Sequence, residues 1–161
     1  EKKYIGAALG DDNADIRITG LRIARERGHD LIPLVKQLAD DPSAAVRREC
    51  AIALRHNDDP AAPALWAKLA QQHDVADRWY LEALGLALDR QQDKFFGAWL
   101  EAVGSNWDTP AGRDIVWRSR SKKTPDLLVK ILLDKKTKEA DKPRYIRALD
   151  FQSGPEKNAA L

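Results

Sequence analysis

At 161 residues, with 43% hydrophobic and 32% charged residues and a formal net charge of +2, the chain has the make-up of one folded, soluble domain and not of a disordered tail. No apolar run approaches the roughly 20 residues of a membrane span, and the longest candidate, Leu127 to Leu133, is interrupted by Lys130. A single cysteine, Cys50, excludes an internal disulfide and a cysteine-based zinc site.

The opening Glu1-Lys2-Lys3-Tyr4 lacks the charged start, apolar stretch and small-residue cleavage site of a signal peptide, and the chain contains no Met. Residues 1–161 are therefore expected to form a single domain excised from a larger protein. The first clear pattern is Ile16, Gly20, Ile23 and Ala24, an i, i+4, i+7, i+8 series that puts one apolar stripe on a helix. After the breaker Arg27-Gly28-His29 an amphipathic segment runs from Asp30 to Leu38, and Asp40-Asp41-Pro42 closes it. The first pattern then returns 30 positions on, with Ala14-Asp15-Ile16-Arg17 answered by Ala44-Ala45-Val46-Arg47 and the stripe by Val46, Cys50, Ala53 and Leu54.

A second amphipathic segment, Ala61 to Leu69, follows Asp58-Asp59-Pro60. A third copy stands at a spacing of 31, with Arg78 in the place of Arg47 and Leu81, Leu84, Gly85 and Leu88 carrying the stripe. The segment Asp93 to Val103, the breaker Trp107-Asp108-Thr109-Pro110, a looser copy near Arg113, the segment Asp126 to Leu133 and a last copy near Arg144 complete the chain. Pro42, Pro110, Pro125 and Pro143 suit first helical turns, where a missing N–H is no loss, with Asp or Thr upstream as caps. Nothing alternates as a strand would. The expected fold is all-α: a right-handed α-α superhelix of about five helical pairs, the first incomplete, with the second helix of each pair on the concave side.

The run Asp41-Pro42-Ser43-Ala44-Ala45-Val46-Arg47-Arg48-Glu49-Cys50-Ala51-Ile52-Ala53-Leu54-Arg55 resembles the HEAT-repeat consensus, of the HEAT/armadillo class of solenoids. Asp77-Arg78-Trp79-Tyr80-Leu81-Glu82-Ala83-Leu84-Gly85, with Trp99-Leu100 and Asn106-Trp107, is similar to the HEAT region of large bacterial membrane-bound dehydrogenase and haem-binding proteins, a likeness covering roughly residues 11–152. That resemblance implies a parent with a sugar-dehydrogenase-like propeller, these repeats and a c-type haem domain, in an exported or periplasmic setting. The Cys-x-x-Cys-His haem signature is absent, so no haem chemistry is carried onto these residues.

Arg17, Arg47 and Arg78 begin successive second helices and follow Asp12, Asp41 and Asp74 near the preceding turns. An arginine fork can bridge carboxylates and loop carbonyls, so the HEAT likeness implies a structural ladder, with an anion-receiving row as the rival reading. Of five tryptophans, Trp66 and Trp99 lie in apolar stripes and read as core. Trp79 and Tyr80 stand about 100° apart on a helix, so at least one is expected to face a groove or the next repeat.

Trp79, Tyr80, Trp117, Arg118 and Arg120 form the candidate interaction surface, because Trp, Tyr and Arg dominate binding hot spots. From Arg113 to Lys138 nine Lys or Arg face three Asp, an excess of +6 in a chain whose first 112 residues sum to −4. A phosphate grip through this stretch, as in DNA glycosylases built on HEAT-like scaffolds, is the alternative reading. Asp40-Asp41 and Asp58-Asp59 precede prolines and read as caps. His29, His56 and His73 fall at helix ends without metal-ligand spacing. No catalytic, cofactor or metal residue is assigned, and the expected function is a non-catalytic protein-binding, spacer or scaffold module.

Overall fold

The computed structural model describes residues 2–161, and every regular element among them is helical. The helices are α1 (Lys2–Leu9), α2 (Ala14–Glu26), α3 (Ile32–Leu38), α4 (Ala44–Ala53), α5 (Ala62–Ala70), α6 (Arg78–Ala87), α7 (Gln92–Val103), α8 (Pro110–Arg118), α9 (Thr124–Leu133), α10 (Lys142–Asp150) and α11 (Pro155–Ala160), with a 3₁₀ turn over Gly104–Trp107. The eight residues of α1 complete the first pair, which the sequence reading left unfinished.

Local chemistry sets the ends. Asn13 accepts the amide of Asp15 at the start of α2, Asp77 that of Tyr80 in α6 and Thr109 that of Gly112 in α8, each filling a donor that the first turn leaves unpaired. Pro110, Pro125 and Pro143 occupy first turns as expected. Pro42 does not: it precedes Ser43, the residue that flanks α4, while Asp41 accepts the Ser43 amide. Past the ends of α2, α4 and α6 the chain turns through left-handed residues, Gly28 (φ 69°), His56 (φ 59°) and Arg90 (φ 63°).

The helices form two layers. Second helices α2, α4, α6 and α8 pack one on the next, and first helices α3, α5 and α7 line up behind them, with α9 joining α8, α10 and α11. The two layers enclose one continuous core, in which Trp66, Phe95, Phe96 and Trp99 are buried and the Trp66 indole donates to the Leu84 carbonyl across α5 and α6 (3.1 Å). Gly20 lets α2 approach α1 closely, since a β-carbon there would sit 2.9 Å from that of Ala8.

One stripe departs from its sequence pattern. In α4, Val46, Cys50, Ala53 and Leu54 are all buried, whereas in α2 only Gly20 and Ala24 are, and Ile16 and Ile23 are about two-fifths exposed. The reason is positional: α4 lies between α2 and α6, while α2 has a second-helix neighbour on one side only.

Candidate interaction surface

The recurrent arginines diverge once the helices are packed. Arg17 reaches into the next repeat, where Nε and a terminal nitrogen donate to the two oxygens of Asp41 at 2.7 and 2.8 Å while the other terminal nitrogen donates to the carbonyls of Asp11 and Asp12. Burial pushes the Asp41 carboxyl up, but the Arg17 hydrogen bond and the Ser43 amide outweigh it and hold it below the usual range. Asp12 contributes its backbone here and its side chain stays exposed.

Arg47 keeps the loop contact, donating to the carbonyls of Asp41 and Pro42, and its guanidinium lies over the Tyr80 ring. Arg78 breaks the row. It is exposed, pairs with Glu82 one turn along α6 and leans on Trp117, while Asp74 only accepts the Ala76 amide in its own turn. The contact expected between Arg78 and Asp74 is therefore corrected, because Glu82 at i+4 offers a nearer carboxylate than the turn behind.

The aromatic pair splits cleanly. Trp79 is 72% exposed, whereas Tyr80 is buried at 1% and donates its hydroxyl to the Leu69 carbonyl (2.9 Å). Tyr80 is thus corrected from surface to core, the rotation of α6 having turned it onto α5. Trp117 is half-buried with the Arg144 guanidinium 4.4 Å from its ring centre and Arg78 at 5.7 Å.

Arg118 and Arg120 are engaged within the chain. Arg118 donates to Glu82 and lies in the space that Gly85 leaves open, where a β-carbon would come within 2.4 Å of the guanidinium. Arg120 donates to the carbonyls of Trp117 and Ser119 and covers the Phe151 ring, and burial pushes its pKa down.

Three inter-repeat contacts have no counterpart in the sequence reading. His73 Nε2 lies 3.1 Å from Asp114, which also accepts from Arg144, so residues of α8, α10 and the turn after α5 meet at one buried carboxylate. Burial raises the Asp114 pKa, yet the hydrogen bonds from His73 and Arg144 overcome that and lower it. Gln91 donates to the Leu54 carbonyl at the end of α4, and Gln152 donates to that of Ser119 at the end of α8. The 61-residue separation of these two glutamines, two repeat lengths, was a legible signal; nothing local marked His73.

Between α4 and α6 the second-helix face opens into a hollow of about 340 Å³. It is lined by Ala45, Ile52, Ala83, Trp79 and Leu86 together with Arg22, Arg48, Glu82 and the buried Glu49. Among the described residues no group of three or more His, Cys, Asp or Glu could hold a metal ion, and no helix is long and apolar enough to cross a membrane. Burial pushes the Cys50 thiol up to about 12, with Asp41 and Glu49 adding to it, so the sulfur stays protonated and inert.

The profile of HEAT repeats matches residues 3–85, from α1 to the last turns of α6. Comparison with curated proteins and with solved structures gives no significant match. HEAT repeats are generally protein-interaction or scaffold modules and typically non-catalytic. A match over more than half of the chain, laid on a two-layered stack of helical pairs joined by an arginine–aspartate contact between repeats, makes this chain a member of the HEAT-repeat family.

Proposed function

We propose that residues 1–161 form one non-catalytic interaction and spacer module of a larger, exported bacterial protein of dehydrogenase-like organisation. The observation that carries the interaction role is the apolar surface left open. Trp79 and Leu86 face outward on α6, Ile16 and Ile23 on α2, and Leu133, Ile146 and Phe151 on the last repeat. Helical repeats bury such faces only by stacking, so the uncovered edges suit a further repeat, a neighbouring domain or a separate protein. The bacterial, dehydrogenase-like and exported context is supported by the resemblance of residues 77–85, 99–100 and 106–107, and by nothing in the geometry.

Sequencing the reading frame on both sides tests that context. Propeller-type and Cys-x-x-Cys-His segments are expected, and flanks encoding neither would remove the dehydrogenase-like parent. A phosphate grip is the lesser reading, because Arg113, Arg118 and Arg120 already serve Asp108 and Asp134, Glu82, and backbone carbonyls. Weak retention on polyanions at very low salt, vanishing near physiological ionic strength, is expected of the lopsided charge alone. Micromolar binding of duplex DNA at physiological salt, lost on neutralising Arg118 and Arg120, would reverse the order of the two readings.

A further inference from the structure

The hollow between α4 and α6 combines an apolar lining with ion pairs whose arginines are the more exposed partners. Two carboxylates, Glu49 and Glu82, line it, a third, Asp77, pairs with the lining Arg48, and each is already held. Glu49, 3% exposed, accepts from Arg22 (2.8 Å) and Arg25 (2.7 Å). Glu82 accepts from Arg78 and Arg118, and Asp77 from Arg48 as well as from the Tyr80 amide. Burial raises the Glu82 pKa, but the Arg78 and Arg118 contacts prevail and lower it, so it stays ionised within its pairs.

The charges that line the hollow balance, Arg22 and Arg48 against Glu49 and Glu82, and the surplus of two positive charges comes with their ion-pair partners Arg25, Arg78, Arg118 and Asp77 just outside it. Glu49 lies inward and Glu82 and Asp77 are about a quarter exposed, whereas the Arg22 and Arg78 side chains are 57% and 67% exposed. An approaching molecule therefore meets guanidinium groups first, each with N–H donors beyond those spent on its internal partner, and then the indole of Trp79 in an apolar lining.

We infer that this hollow receives a protein segment in which one bulky apolar side chain is flanked by Asp or Glu, a reading that rests on the chain's being a protein-interaction module. The apolar side chain enters against Trp79, Ile52 and Leu86, and the flanking carboxylates pair with Arg22 and Arg78. A basic segment would place its cations against the exposed guanidiniums without reaching buried Glu49. A nucleic acid fits less well, because the lining offers one exposed aromatic face and the guanidiniums are separated by carboxylates.

The test uses the whole chain and labelled peptides of about twelve residues, followed by anisotropy. One peptide has a central Phe between Asp and Glu, a second has Lys and Arg in their place, and a third has the acids with the Phe replaced by Ser. The first is expected to bind, the other two at least tenfold more weakly, and Trp79→Ala to weaken the first at least tenfold. Trp79 is exposed and makes no hydrogen bond, so the variant keeps the fold, which circular dichroism checks. Leu133→Ala, on α9 away from the hollow, is expected to bind like the parent, and affinity is expected to fall as salt rises.

Equal binding of all three peptides, or binding of the first untouched by Trp79→Ala, overturns the inference. Preference for the basic peptide that is lost with Trp79→Ala overturns the acidic assignment and leaves the interaction module standing. Binding of a DNA duplex in place of every peptide, lost with the same variant, overturns both.

Discussion

Gly112 offers the sharpest test of how the fourth pair is built. It lies in the first turn of α8, buried, and its amide donates to the Thr109 cap. A β-carbon at this position would sit 1.9 Å from the Trp107 carbonyl oxygen and 2.9 Å from the carbonyl carbon. Ordinary carbon–oxygen contact is about 3.3 Å, so Gly112→Ala must move backbone by more than an ångström, either loosening the 3₁₀ turn or drawing α8 off its cap.

Overpacking of this kind costs about 1–3 kcal/mol, and the obstacle is main chain, which cannot swing aside. The gain of Ala over Gly in a helix, at most about 1 kcal/mol, offsets part of it. A net loss near 2 kcal/mol corresponds to a fall in Tm of about 4–8 °C for a chain of this size. The control is Gly97→Ala in the middle of α7, where no atom lies within 4 Å of the added methyl and a gain of about 0.5–1 kcal/mol is expected. Urea unfolding followed by circular dichroism, with calorimetry, reads both. If Gly112→Ala leaves the midpoint unchanged or raises it as Gly97→Ala does, the packing of α8 against the Trp107 carbonyl is refuted.

Three further expectations follow from individual contacts. Arg17→Ala should lower the urea midpoint by stranding the buried Asp41 carboxylate, and Lys should rescue it poorly because it lacks the planar fork, while Arg78→Ala should change it little; equal effects would erase the distinction drawn between them. Asp41 and Asp114 are held below the ordinary carboxylate range, so in the interval between folded and unfolded pKa values the unfolded chain binds more protons; stability should be complete above about pH 4 and drain away below it, and Asp114→Asn should flatten that part of a Tm-against-pH profile. Arg90 makes no side-chain hydrogen bond and sits at φ 63°, so Arg90→Gly should stabilise by about 0.5–1 kcal/mol, and a loss would show that the left-handed turn after α6 is misplaced.

The helices, their pairing and their turns were legible because each depends on residues three or four apart or on one capping position. The stripe of Val46, Cys50, Ala53 and Leu54, the core places of Trp66 and Trp99 and the cap at Thr109 all follow from such local rules. The candidate surface was legible only in part: Trp79 and Tyr80 could be seen to point about 100° apart, and not which of them faced out.

That choice belongs to the rotation of α6 about its own axis, which packing on α4 and α5 settles and no period within α6 records. The same holds for the arginines. Arg17, Arg47 and Arg78 occupy one sequence register, yet Asp41 of the next repeat lies within reach of the first and Tyr80 of the next lies under the second, while the third is taken by Glu82 on its own helix, a pair that the i, i+4 spacing already offered. His73 and Asp114 stand 41 residues apart, and only the stacking of successive repeats brings an imidazole from one turn to a carboxylate in the next pair. Short-range periodicity determined what each segment is, while the offset between repeats, a sum of many small contacts, decided which side chains meet.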